Sequence, residues 1–242
     1  MRSSLTHAAR HLLPSLLLVL AACDREPPAA PAPHPPPSQN LAMGTGEARN
    51  PQPFTIEQRL LDAVRRGDRE TLERALERGA TVHAKDDLQR STILLATKDA
   101  GDVALVRWLH GKGAALDDAD LGGRTAASFA AADGRLDILR YLIENGAVAD
   151  RPDGQKRTPL FHAALGDHAD AVAFLLDRGA DVNVRDQFGD TPLIVACGKG
   201  NAATAALLLA RGADASLKDQ EGRTARERSA PETAPCLNLG PP

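Results

Sequence analysis

The sequence predicts an all-α solenoid built from a repeated unit. Three observations carry that prediction. Threonine recurs at Thr92, Thr125, Thr158, Thr191 and Thr224, each 33 residues after the last. Glycine recurs at Gly113, Gly146, Gly179 and Gly212 with the same period, and Gly79 precedes that series by 34, which assigns one extra residue to the first connection. A fixed period of this length is the signature of a repeat array. Composition agrees. Of 242 residues, 43% are hydrophobic but only 3% aromatic, so the core must be built from Leu, Val, Ile and Ala, as a close-stacked helical array requires. The 25% of charged residues is near the soluble globular average and excludes a wholly disordered chain or a multi-span membrane protein.

Taken in chain order, residues 1–22 read as a processing signal. Arg2 and Arg10 give a positive start with no acid before Cys23, and Leu12 to Ala22 form an apolar stretch interrupted by Pro14 and Ser15. That stretch is too short for a stable transmembrane helix, which needs about 20 apolar residues. It ends Leu20-Ala21-Ala22-Cys23, which resembles the lipobox of bacterial lipoproteins: an aliphatic residue, two small residues, then the cysteine that receives lipid. The resemblance implies that Cys23 is lipidated and becomes the new N-terminus. An ordinary secretory signal is the alternative. Asp24 resembles an inner-membrane retention signal of enteric bacteria. Loss of residues 1–22 removes two of the 29 basic residues and none of the 32 acidic ones, so the formal charge moves from −3 to −5. Neither value gives an electrostatic case for nucleic acid.

Residues 23–53 read as a tether. Seven of the eleven residues from Pro27 to Pro37 are proline, which favours extended polyproline II and cannot pack a core. At about 3.1 Å per residue this run alone spans roughly 34 Å. Its simplest role is to hold a domain off a membrane.

Residues 54–230 read as the repeat domain, and 231–242 as a tail. The best-preserved unit runs Thr158-Pro159-Leu160-Phe161-His162-Ala163-Ala164, then Phe174-Leu175-Leu176-Asp177-Arg178-Gly179-Ala180-Asp181-Val182-Asn183. Pro159 and Pro192 suit a first helical turn, where the missing N–H costs no useful hydrogen bond. Thr158 and Thr191 can cap it. Ala163, Ala164 and Ala196 keep the first helix thin. Leu139, Leu142 and Ile143, then Val172, Leu175 and Leu176, and Val106 and Leu109, recur at helical spacing in the second helix. The periodic glycines suit a left-handed helix end. This unit resembles the ankyrin repeat, T-P-L-H-x-A-A followed by L-L-x-x-G-A-D-x-N. The resemblance implies an all-α ankyrin-repeat solenoid of five repeats plus a C-terminal capping fragment, with short β-turn or hairpin tips. The repeats begin near Ile56, Ser91, Arg124, Arg157 and Asp190.

The ends read as polar caps: Arg65, Arg66, Arg69, Arg74 and Arg78 stud the first repeat, and Arg226 replaces an inward leucine in the last piece. Three departures stand out within the array. Phe161 occupies the usual histidine position, so the common Thr–His hydrogen bond is not expected. Lys156 replaces the turn glycine found at Gly123, Gly189 and Gly222, so the third turn is expected to be distorted. Thr92 and Thr125 are not followed by proline.

No catalytic constellation emerges, and the chain is read as a non-enzyme with no cofactor and no resident metal. His162, Asp167 and His168 form the one group with a zinc-like flavour, but no third strong ligand accompanies the histidines. A metal-dependent envelope enzyme using that region is the alternative function. Asp117, Asp118 and Asp120 lack the glycine-bearing calcium loop. Cys197 takes an alanine position and reads as a buried thiol, although a bond to Cys236 in the tail would staple the C-terminal cap in an oxidising compartment. Trp108, Tyr141, Phe174 and Leu207 recur every 33 residues and read as a packed column rather than a binding stripe.

Repeat arrays bind along turn tips and first helices. Leu88, Leu121 and Phe188 fall at or near tips, where they either form an interface or tuck against their own turns. Asp87, Asp117, Asp118 and Asp190 lie beside them and would favour a partner with basic rim residues. The resemblance therefore implies a monomeric binder of another protein in the periplasm, anchored to the membrane through lipid on Cys23. Two jobs follow: support or protection of a periplasmic enzyme, or immunity against a toxin. The envelope is the expected location, its inner membrane if Asp24 acts as a retention signal.

Overall fold

The computed structural model describes residues 54–229 together with Cys236 and Asn238. The expected signal peptide, Cys23, Asp24 and the tether through residue 53 lie outside the described residues, as does the rest of the tail.

Five helix pairs follow one another. They are α1 (Ile56–Arg66) with α2 (Arg69–Glu77), α3 (Thr92–Leu95) with α4 (Val103–Gly111), α5 (Ala126–Ala132) with α6 (Leu136–Glu144), α7 (Pro159–Leu165) with α8 (Ala169–Asp177), and α9 (Pro192–Lys199) with α10 (Ala202–Ala210). α3 runs on as a π-helical turn, Ala96–Ala100. First helices pack on first helices from α1 to α9, and α4, α6, α8 and α10 form the second layer. Among the described residues no helix is long and apolar enough to cross a membrane.

Local chemistry starts each first helix. The hydroxyls of Thr125, Thr158 and Thr191 accept from the backbone N–H of Ser128, Phe161 and Ile194, and Pro159 and Pro192 occupy the first turn. Alanines at Ala130, Ala131, Ala163, Ala164 and Ala196 are buried, which lets the first helices approach closely. Leu139, Leu142, Val172 and Leu175 fill the space between the layers. The aromatic column is mostly core: Tyr141 and Phe174 are buried, whereas Trp108 and Leu207 are half-buried against the core edge. Arginines cover its outer side, with Arg107 4.4 Å from the Tyr141 ring centre and Arg140 4.7 Å from that of Phe174.

The extra residue lies elsewhere than the glycine spacing suggests. Gly79 precedes Ser91 by the same 12 residues that separate Gly113 from Thr125. Ser91, not Thr92, is the N-cap of α3, its hydroxyl accepting from the Leu94 N–H. The first helix then needs ten residues to reach its left-handed end at Gly101, where Thr125 reaches Gly134 in nine. The π turn absorbs the surplus, closed by the Gly101 N–H donating to the Ala96 carbonyl at 2.9 Å. Thr92 instead donates its hydroxyl to the Val82 carbonyl at 2.7 Å.

The third turn is not distorted. Lys156 takes the left-handed conformation itself, at φ +63°, and its N–H reaches the Asp153 carbonyl at 2.9 Å. Gln89 does the same in the first turn, at φ +60°.

Candidate protein-binding surface

One carboxylate organises every tip. Asp86, Asp120, Asp153, Asp186 and Asp219 each use Oδ1 to accept from the backbone N–H groups two and four residues on, at 2.8–3.0 Å. Antiparallel bridges Lys85–Ser91 and Ala119–Thr125 close the first two tips. Backbone hydrogen bonds then tie tip to tip: Leu121 to Leu88, Gly154 to Gly122, Gln187 to Gln155 and Gln220 to Phe188, at 2.8–3.0 Å. The tips are therefore a continuous hydrogen-bonded edge held on a rigid two-layer stack.

Leu88, Leu121 and Phe188 project from this edge and do not tuck away. They are 52%, 70% and 49% exposed. Leu88 and Leu121 are neighbours through their shared backbone bond, whereas the Gly154–Gln155 tip separates them from Phe188.

The expected acidic rim is largely consumed by the fold. Asp190 is only 7% exposed and does not belong to the surface, because Arg228 from the C-terminal cap reaches back to it at 3.1 Å. Burial raises the Asp190 carboxyl above its usual range against the pull of Arg228, and Asp186 and Asp219 add to the rise. Asp117 accepts from the Val148 N–H at 3.0 Å while its carbonyl accepts from Arg151. Asp118 pairs with Lys85 at 3.0 Å. Asp87 alone of the four is exposed.

The C-terminal end is closed by charge and by a covalent bond. Burial works against the Asp219 carboxylate, but hydrogen bonds from Arg223 and Arg228 dominate and hold it at about 2. Cys197 and Cys236 are both buried and joined, with Cα atoms 5.9 Å apart, so Cys197 is not a free thiol.

The three residues with metal-like chemistry face different partners. His162 Nε2 donates to Asp153 Oδ2 at 2.9 Å. His168 Nε2 donates to the Ala132 carbonyl at 2.9 Å, bridging two repeats. Asp167 accepts from the Thr204 hydroxyl at 2.8 Å. Among the described residues no group of three or more His, Cys, Asp or Glu side chains is arranged to hold a metal ion.

Sequence reasoning missed Arg124 and Lys98, which both stand against the ring of Phe129 in the first-helix layer. A weak signal existed: Arg90, Arg124 and Arg157 recur just before α3, α5 and α7, and Arg223 takes the same place before Thr224, whereas Asp190 stands there before α9. Nothing in that recurrence says which of them lacks a partner.

A family model of ankyrin repeats (3 copies) matches the chain over residues 60–153, 93–186 and 147–219. No curated protein matches it. Five stacked helix pairs with Thr- or Ser-capped first helices, glycine-ended second helices and hydrogen-bonded tips are the arrangement that this match describes, and such repeats generally mediate protein–protein interaction. The chain belongs to the ankyrin-repeat family.

Proposed function

We propose that this chain is a lipid-anchored protein of the bacterial cell envelope that binds another protein through its tips and first helices. The observation that carries the reading is the exposure of Leu88, Leu121 and Phe188 on an edge whose backbone is fixed by hydrogen bonds. Large apolar side chains held rigidly in water gain by burial against a partner and lose little conformational freedom in doing so. Lipid on Cys23, following Leu20-Ala21-Ala22, supplies the anchor, and the proline-rich tether supplies reach. The Cys197–Cys236 bond supports a compartment outside the reducing cytoplasm. The partner is a resident periplasmic enzyme that the array supports or protects, or an incoming toxin that it neutralises.

In-cell crosslinking and co-purification test this reading, run beside a Leu88→Asp/Leu121→Asp/Phe188→Asp variant with an unchanged melting curve. A protein captured by the wild type and lost by the variant supports it. Capture that persists in the folded variant removes the tips from the interface. A partner present in unstressed cells identifies the protector role. Killing of a deletion strain by a toxin-bearing neighbour identifies immunity.

A further inference from the structure

We infer that the guanidinium of Arg124 and the ammonium of Lys98, which both stand against Phe129 where the second repeat meets the third, receive an acidic side chain of the partner protein. This rests on the protein-binding reading above and names the chemistry that the partner must present there.

Arg124 precedes the N-cap Thr125, at the foot of the second tip. Its guanidinium carbon lies 3.8 Å from the centre of the Phe129 ring on α5, and Lys98 Nζ lies 5.4 Å from the same ring. Every other partly buried arginine among the described residues (Arg65, Arg90, Arg135, Arg157, Arg223 and Arg228) has a carboxylate oxygen within 3.6 Å. At the repeat positions equivalent to Arg124, the Nε atoms of Arg90, Arg157 and Arg223 bond Asp86, Asp186 and Asp219 at 2.8–3.1 Å. The Nε of Arg124 is buried with no hydrogen-bond partner.

The nearby acids are engaged elsewhere. Asp120 Oδ1 takes the backbone N–H groups of Gly122 and Arg124. Asp153 is shared between its own turn and His162. Asp133 pairs with Arg135 at 3.6 Å. Burial accordingly lowers the Arg124 pKa, against the pull of Asp120, Asp153 and Asp133. A cation that has lost water without gaining a counter-ion is a binding site for one, and a stacked guanidinium offers a fixed fork that suits a carboxylate.

A second, independent feature coincides with it. Lys98 sits in the π-helical turn that the second repeat alone contains among the described helices. Such turns recur at functional sites because they re-aim side chains. The exposed Leu121 belongs to the tip that carries Arg124 at its foot, so one macromolecular partner can cover the apolar tip and present a carboxylate to the cations below it. Lys98 and Arg124 thus favour an acidic partner segment, where the sequence alone pointed to a basic one.

The test is fluorescence anisotropy of a dye-labelled hexaglutamate peptide, blocked at both ends, titrated with the full chain in detergent at low ionic strength. A hexalysine peptide is the counter-probe. Saturable hexaglutamate binding that weakens about tenfold in Arg124→Gln and in Lys98→Gln, and is unchanged in the exposed-site control Arg66→Gln, is the expected result. No hexaglutamate binding, or equal weakening by Arg66→Gln, overturns the inference. Lys98→Gln and Arg124→Lys keep the test decisive if Arg124→Gln melts early; Arg124→Lys retains the charge without the fork and should bind at an intermediate strength. A partner captured in cells, lost on the tip substitutions but kept by Lys98→Gln and Arg124→Lys, sinks this inference while leaving the proposed function standing.

Discussion

The imidazole of His162 and the carboxylate of Asp153 form a buried pair, Nε2 to Oδ2 at 2.9 Å, across one repeat. The carboxylate shapes its own tip with Oδ1 and fixes the first helix of that repeat with Oδ2. The usual Thr–His bond of the family pattern is replaced: Thr158 caps the Phe161 N–H, and the histidine one place further on reaches the tip.

Acid stability should report that pair. Burial lowers the His162 pKa below 6.5, the Arg124 charge lowers it further, the Asp153 contacts oppose, and Arg157 adds a smaller lowering. The unfolded chain therefore takes up a proton that the folded chain refuses. Stability is full above about pH 6.5 and declines as pH falls below it, until the folded imidazole itself protonates. Urea midpoints measured from pH 8 to pH 5 should fall for the wild type and fall less for His162→Gln. Identical slopes for the two proteins would remove His162 as the cause.

Two turn substitutions should move stability in opposite directions. Lys156 holds φ +63°, a conformation that glycine adopts freely, so Lys156→Gly should stabilise by up to about 1 kcal/mol. Gly123 occupies the same turn position at φ +79°, and an added Cβ would stand 2.8 Å from the backbone nitrogen of Gly154 in the next tip. Gly123→Ala should therefore destabilise by about 1–3 kcal/mol through strain and a disturbed tip-to-tip bond. Chemical denaturation of both variants checks the signs.

The cap assignment in the second repeat is equally direct. Ser91→Ala should cost about 1 kcal/mol, because its hydroxyl alone receives the Leu94 N–H. Removing one residue from the π turn should leave a regular first helix and displace Lys98. Thermal melts of Ser91→Ala and the circular dichroism of the deletion variant read these outcomes.

The C-terminal staple should matter most near its own repeat. Cys197 and Cys236 should resist alkylation until reductant is added, then react together. A bond closing a 39-residue separation stabilises by about 2–4 kcal/mol. Reduction should therefore expose α9 and α10 to hydrogen exchange before α1 to α8 change. Uniform loosening of all repeats, or two thiols free without reductant, would contradict the stapled end.

The features legible in the sequence are those in which each residue answers to neighbours a turn away or to its equivalent one repeat on. Thr125, Thr158 and Thr191 cap helices because a hydroxyl at that position reaches an N–H three residues later. Gly146, Gly179 and Gly212 end second helices with positive φ because a side chain there is strained. Period, helix pairing, the layer of small alanines and the tips follow from such local rules, and they sufficed for the fold.

The fate of each charge and of the one surplus residue was decided by the stack. Asp190 has the composition of a surface acid, yet Arg228, 38 residues on, folds back over it. Arg124 repeats the pattern of Arg90 and Arg157, yet no carboxylate lies within reach of its Nε. The glycine spacing counted an extra residue but could not say that a π turn, rather than a loop, would absorb it. The sequence by itself determined the repeating scaffold, because hydrogen bonds and helical periodicity act over a few residues. Only the tertiary structure decided which groups are paired, buried or left open to a partner. Desolvation and ion pairing depend on atoms that stacking brings together from repeats some 30 residues apart.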